Sequence, residues 1–467
     1  MDRVGVLVVS KCLSAAAIVD AISRSEKYRP EFFVVEKQRN PFNVRRAKVH
    51  VVVPDLAVAD VVKAAGKFKE RIAFGLTDTE DFVVAGGRDV LERETGIPMI
   101  CVSKEYALEG SKAAQRRLFD KTFRGANPRY RIFDQKDYPG TQQAVTDFRK
   151  AISELGPAVI KPDAPARGAG VGVWGSDFST DREAAQFFLN AFAKGSVVVE
   201  EKVEGEESSF HAFSDGRHFV PAPMSRDYKR SLDGNRGPLT GGMGSYRGPR
   251  AHLPFVRESD WSGLVQAEER AFRLWKGRGS NPGLRGIVLY DAIMHTGGGF
   301  KVLERNSRGG NTELINLLTT ITDDFVDVCY RMLDGALKGI KFGRTASVVT
   351  CAVPASYGTG TPAPGMDEAI DLSGAYGLSE RSGGSIRILP MDVRIERGRC
   401  LMGRSRSVAV VGLGSTLEEA RRASLRGAGS LVGPVRWRKD IASSSDLRSS
   451  RDHLRSLRRV AHTVASA

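Results

Sequence analysis

The feature that most constrains this chain is the regular alternation, over its first hundred residues, of short apolar runs with segments of helical spacing. Val4–Val9, Phe32–Val35, Val49–Val53, Ile72–Phe74 and Pro98–Val102 read as strands, and Val58–Phe68 and Phe82–Glu94 between them as helices. Strands that are apolar on both faces need cover on both sides. Successive strand–helix units supply that cover by winding into a parallel sheet flanked by helices. Residues 1–103 are therefore expected to form a doubly wound α/β domain.

A chain of 467 residues is too long for one core, and its length suggests about three domains. From 104 to 341 the pattern is mixed. Helices over Gly110–Lys121, Gln142–Glu154 and Arg182–Phe192 flank strands at Ala158–Lys161, Ser196–Lys202 and Ser208–Ser214. A helix over Glu258–Trp275 leads to the strands Gly286–His295 and Phe300–Arg305. From 342 to 442 the chain is a small, strand-rich α+β domain, with strands at Ala346–Val353, Ile386–Pro390 and Arg406–Gly412. A capped helix spans Thr416–Val432. The tail, 443–467, is rich in Ser and Arg; its Leu447, Leu454, Leu457, Ala461 and Val464 share one helical face, which leaves docking or fraying open.

The net charge of +15 fits phosphorylated small molecules, anionic membranes or nucleic acid as partners. Basic residues are not interleaved with aromatics as in RNA-binding motifs, so nucleic acid is not expected. No apolar run approaches the ~18 residues of a membrane span, and the early Lys11 and Asp20 do not suit a signal peptide. Five isolated cysteines, with no CxxC pair, point to a reducing cytoplasm rather than a disulfide or zinc framework.

Three stretches carry chemistry. In Val159–Trp174 a strand ending in Lys161 enters a turn with Gly168, Gly170 and Val171, a backbone able to approach phosphate oxygens. In Val197–Phe210 an apolar strand ends at Glu201, Lys202 and Val203, whose backbone suits an adenine edge, with Glu207 beyond as a ribose partner. In Lys301–Arg308, Glu304, Asn306 and Arg308 fall on one strand face, and Asp291 lies on the preceding strand. Such oxygen ligands hold magnesium jointly with substrate phosphates, and an arginine beside them neutralises phosphate charge.

Together these stretches resemble the ATP-grasp superfamily and, within it, glycinamide ribonucleotide synthetase (phosphoribosylamine–glycine ligase), over roughly residues 45–441. The most specific match is Arg226-Asp-Tyr-Lys-Arg230 with Gly237-Pro-Leu-Thr-Gly-Gly-Met-Gly-Ser-Tyr246, similar to the family's QDHKR…GPNTGGMGAY. Leu108-Glu-Gly-Ser-Lys112, Thr416-Leu-Glu-Glu-Ala-Arg421 and Trp437-Arg-Lys-Asp-Ile441 support it. The resemblance implies an ATP-grasp fold and an ADP-forming ligase of purine biosynthesis that joins glycine to phosphoribosylamine through a glycyl phosphate. It implies ATP and Mg2+ (or Mn2+) as cofactors, and a monomer or homodimer. By the same resemblance Lys104 and Lys161 contact ATP phosphates, with Lys161 and Arg308 catalytic. Glu304 and Asn306, with Asp291 as a third ligand, hold the metal, and Asp227, Lys229, Gly241, Gly242, Met243 and Arg308 line the substrate site.

The chain departs from the family where Val9-Ser-Lys-Cys-Leu13 replaces a GSGGREHA-like loop that takes up the phosphoribosyl group. Gly75-Leu-Thr-Asp-Thr-Glu80 stands for a GPE turn, Gly168-Ala-Gly170 lacks a lysine, and Gly310-Asn-Thr-Glu313 stands for GDPE. These changes leave two alternatives: a ligase with a different amine acceptor, or a catalytically weakened nucleotide-binding relative.

Overall fold

A computed structural model describes residues 1–11, 13–163, 170–358 and 367–466. The N-terminal strands β1 (Asp2–Ser10), β2 (Tyr28–Glu36), β3 (Ala47–Val52), β4 (Phe74–Thr77) and β5 (Met99–Ile100) form one parallel sheet in the order β3-β2-β1-β4-β5. β1 is buried from Val4 to Ser10, as the centre of such a sheet must be. At Gly5 any Cβ would overlap the Arg71 carbonyl. The single helix expected over 82–94 is two, Glu80–Val84 and Gly87–Thr95, because Gly86 turns the chain at φ +78°.

A second sheet joins β6 (Tyr130–Phe133), β7 (Ala158–Pro162), β8 (Gly172–Val173) and β9 (Val197–Glu201) in the order β6-β9-β7-β8. Helices Thr141–Leu155 and Asp181–Phe192 pack on it through an aromatic core, with Phe148 stacked on Phe188 at 4.4 Å. A third sheet contains β10 (Glu206–Asp215) and β11 (Phe219–Pro221), and continues below with the acidic strand pair.

The strands β12 (Arg226–Asp227) and β13 (Gly244–Arg247) leave this region to join the C-terminal sheet. β14 (Arg285–Thr296) and β15 (Gly299–Asn306) complete the third sheet, ordered β11-β10-β14-β15. The C-terminal sheet adds β16 (Ala346–Pro354), β17 (Ile386–Pro390) and β18 (Val408–Gly414), in the order β12-β13-β16-β18-β17. A cut at residue 341 would thus divide a sheet. The helix capped by Thr416 runs Leu417–Ala428, ending four residues before the expected Val432.

The tail is a helix, Ser444–Ser466, docked on the third sheet. Leu454 is fully buried, Leu447 and Leu457 pack beside it, and Tyr228 donates its hydroxyl to Asp446 at 2.5 Å. Among the described residues no helix is long and apolar enough to cross a membrane.

Candidate active site

One cavity of about 310 Å³ gathers residues from the N-terminal, third and C-terminal sheets and the segments beside them. Lys11, Asp78, Thr79 and Glu80 come from the carboxyl ends of β1 and β4; Tyr290, Glu304, Asn306 and Arg308 come from the β14–β15 pair and its exit. Asp227, Lys229, Thr240 and Gly241 come from the segment feeding the C-terminal sheet, which itself supplies Tyr357, Ser405 and Arg406. Five cations and six carboxylates line it, the mixed charge that a metal-bound polyphosphate beside an amino acid requires.

β15 explains the central wall. Its alternation puts Glu304 and Asn306 on one face and Arg305 on the other. Burial works against the Glu304 carboxylate, yet Lys229, Lys161, Lys112 and Arg308 hold it below the usual carboxylate range. It therefore stays ionised. Arg308 is pinned by Glu80 at 3.1 Å and Glu109 at 3.3 Å. Burial pushes Glu109 up to about 7, against the pull of Arg308. Asp227 is likewise pushed up to about 7 by burial, partly offset by Lys229. Burial disfavours the Lys229 ammonium, but Asp227 and Glu207 outweigh it and keep it charged.

Asp291, expected as a third metal ligand, lies outside the cavity lining, on the opposite face from Glu304. In the β14–β15 register it opposes Arg305, while Ala292 opposes Glu304. Its carboxylate is fully buried on the Arg305 guanidinium at 2.6–3.1 Å, and Glu268 closes the triad at 2.7 Å. A one-residue offset has turned it to the opposite face. Glu313 lines the cavity instead, held below the usual carboxylate range despite burial by His211, backbone hydrogen bonding and Lys229.

Other expectations also shift. Lys104 lies outside the cavity, exposed, with its side chain against Gly86 and its backbone N–H on Asp89. Lys112, eight residues on, lines the cavity in its place. Lys161 sits one layer behind the wall, bonded to Glu200 at 2.8 Å and to the Leu303 carbonyl at 3.2 Å. Met243 is a core residue, fully buried, not a cavity one. Gly242 backs the wall, close to Thr312, Asp227 and Arg406. Glu207 pairs with Lys229.

Glu201 ends β9, and Lys202 and Val203 begin its link to β10, joining the second and third sheets, where Lys202 donates to the Trp174 carbonyl at 2.9 Å. Val171 lines the cavity and Gly170 has φ +80°; Gly168 lies outside the described residues. Sequence reasoning missed Lys112, Glu109, Tyr290 and Arg406. Glu109 and Lys112 carried a signal, in the Leu-Glu-Gly-Ser-Lys stretch they share.

A divalent cation suits the donors present. Glu304, Glu313 and Asn306 offer hard oxygens. Among the described residues no three acidic, His or Cys side chains converge as a closed cage. Magnesium is usually held that way, by one or two carboxylates plus the substrate's phosphates.

A family model, Phosphoribosylglycinamide synthetase, ATP-grasp (A) domain, matches residues 110–314. A phosphoribosylamine–glycine ligase of Pyrococcus horikoshii is 32% identical over 88% of this chain and 89% of its own length. The chain belongs to the phosphoribosylamine–glycine ligase family. A family member from Methanocella arvoryzae is 30% identical over 97% of this chain and 99% of its own. The crystal structure of the ligase from Thermotoga maritima superposes with a TM-score of 0.72 at 25% identity, covering 94% of this chain and 100% of that one. A biotin carboxylase–ATP-analogue complex from Campylobacter jejuni shares the fold alone, with a TM-score of 0.66, 12% identity and 94% of each chain covered. Family membership makes the fold ATP-grasp and the chain an ADP-forming, ATP- and divalent-metal-dependent ligase.

Proposed function

We propose that the chain joins glycine to phosphoribosylamine in purine biosynthesis, spending ATP to activate the glycine carboxylate. What carries this reading is the convergence of Glu304, Asn306, Arg308, Asp227 and Lys229 on one cavity within a chain of this family. Adenine would lie along Glu201–Val203, and the phosphates beside Lys112, Val171 and Lys229. Mg2+, with Mn2+ as a substitute, would be held by Glu304, Glu313 and Asn306, where it neutralises phosphate charge during transfer.

Arg308, fixed on both sides by Glu80 and Glu109, is placed to hold the glycine carboxylate at the phosphoryl end. Attack by the acceptor amine on the glycyl phosphate expels inorganic phosphate and releases a proton. Asp227, with its affinity for a proton raised by burial, can take it. The free thiols Cys101, Cys329, Cys351 and Cys400 suit a cytoplasmic setting. A monomer or homodimer is the assembly we favour.

The test is ADP release with glycine and a panel of amines. ADP formed only when glycine and phosphoribosylamine are both present supports the reading; turnover with another amine alone sinks it. A different acceptor is the second reading. It is favoured by one observation: three of the stretches that depart from the family pattern place residues in this same cavity, Lys11 and Leu13, Asp78 to Glu80, and Asn311.

A further inference from the structure

The acceptor of this reaction brings a phosphate monoester, and a buried phosphate needs a cation that no carboxylate has already neutralised. The amino-terminal wall, where relatives carry a glycine loop, offers none of that kind. Lys11 is ion-paired with Asp81, and Asp78 and Glu80 stand beside it in the cavity. That wall is acidic on balance.

Across the cavity the situation is reversed. Arg406 is only 3% exposed and lines the cavity beside Ser405, Thr240 and Tyr357. Its guanidinium donates to the carbonyls of Gly241 and Gly242, which orient it without cancelling its charge. The Nε is buried and has no hydrogen-bond partner. Among the described residues no carboxylate lies within ion-pair distance of Arg406, and the segments 164–169 and 359–366 contain no acidic residue. A Cβ at Gly241 would sit 3.0 Å from Nη2, so the glycine there is what lets the guanidinium lie flat against the turn.

A buried charge without a counter-ion is costly unless a ligand supplies one. Arg247 is also buried on carbonyls, those of Gly343 and Thr345, but it faces the Phe342 ring away from the cavity. Arg406 is different in being aimed into the site.

We propose that Arg406 is the anion anchor of the acceptor subsite, binding the phosphate monoester of a sugar phosphate at the C-terminal wall rather than at the β1 turn. This rests on the ligase reading above. Glycine's carboxylate is the other anion in the reaction. It must reach the phosphoryl group beside Glu304 and Arg308, so Arg406 serves the acceptor.

The experiment titrates the full-length protein with ribose 5-phosphate and measures the apparent KM for ATP, glycine and phosphoribosylamine formed in situ. Arg406→Gln, Arg406→Lys and Lys11→Met are compared with the parent. Expected for Arg406→Gln is a loss of ribose 5-phosphate binding and a rise of at least ~10-fold in KM for phosphoribosylamine, with KM for ATP and glycine within about twofold. Arg406→Lys keeps the charge and should recover part of the loss; with an unchanged melting temperature, that recovery separates lost binding from misfolding.

The proposal is overturned if Arg406→Gln binds ribose 5-phosphate normally, if it raises KM for glycine instead, or if Lys11→Met alone abolishes binding. A parent enzyme that binds ribose 5-phosphate through Arg406 but releases no ADP with glycine and phosphoribosylamine defeats the ligase reading and leaves the anchor standing.

Discussion

At the scale of single residues, side chains that line the cavity part from those that hold others in place behind it. Glu304 is of the first kind. Glu304→Ala should leave the melting temperature within a few degrees while kcat/KM for ADP release falls at least ~100-fold, more than removing an outer partner of a metal ligand costs. Asp291 is of the second kind. Asp291→Ala strands the Arg305 guanidinium in the core and should cost about 3–5 kcal/mol in urea unfolding. Replacing Asp291, Glu268 and Arg305 together by apolar residues should recover much of it. Mn2+ affinity in the surviving folded protein, read by electron paramagnetic resonance, should be unchanged; a large loss would restore Asp291 to the metal.

His295 gives a pH dependence of stability. Burial, with Arg458 and Arg226 nearby, pushes it down to about 3, and its ring bonds to the Ser208 hydroxyl at 2.8 Å. The folded state therefore binds fewer protons than the unfolded one below pH 6.5. Stability is full above that value and lost on acidification towards the folded pKa. The term reaches on the order of 3 kcal/mol at pH 4. Thermal melts of His295→Gln from pH 7 to pH 4 should show a shallower acid limb than the parent.

At the scale of elements, much was legible. The parallel sheet could be read because β1 and β2 are apolar on both faces, a pattern that an exposed sheet does not produce. Glu304, Asn306 and Arg308 were legible because a strand's period of two puts them together. The faces of neighbouring strands were not. The β14–β15 register shifts between Ala292 and Ile293, and one residue of offset sent Asp291 to the far side. Lys104 and Lys112 each follow a serine, and only burial tells them apart. Arg406 was illegible because its role depends on a turn 165 positions away.

The apolar face of the tail was visible, but not what it covers. The docked helix, with Arg226 bonded to Ser450 at 2.6 Å and Arg458 paired with Asp260, buttresses the strands that carry the site. Leu454→Ala should cost about 2–5 kcal/mol in chemical denaturation, the range for truncating a buried leucine. A change under 0.5 kcal/mol would show that the helix rests on the surface without holding it.

At the scale of the whole molecule, the cavity draws on residues from Lys11 to Arg406, so its ligands tie the sheets together. A non-hydrolysable ATP analogue with Mg2+ at ~100 times its Kd should raise stability by about 2.7 kcal/mol, and a chelator should remove most of that gain. A melting temperature indifferent to the chelator would mean that nucleotide binds without metal. The pairing of β13 with β16 has another consequence, for the ribosome. While the last third of the chain is still being made, Gly244–Arg247 is a strand edge without its neighbour, and half of the acceptor wall does not exist. The nascent chain must carry that open edge for about a hundred codons, a window in which chaperones, rather than substrates, are its relevant ligands.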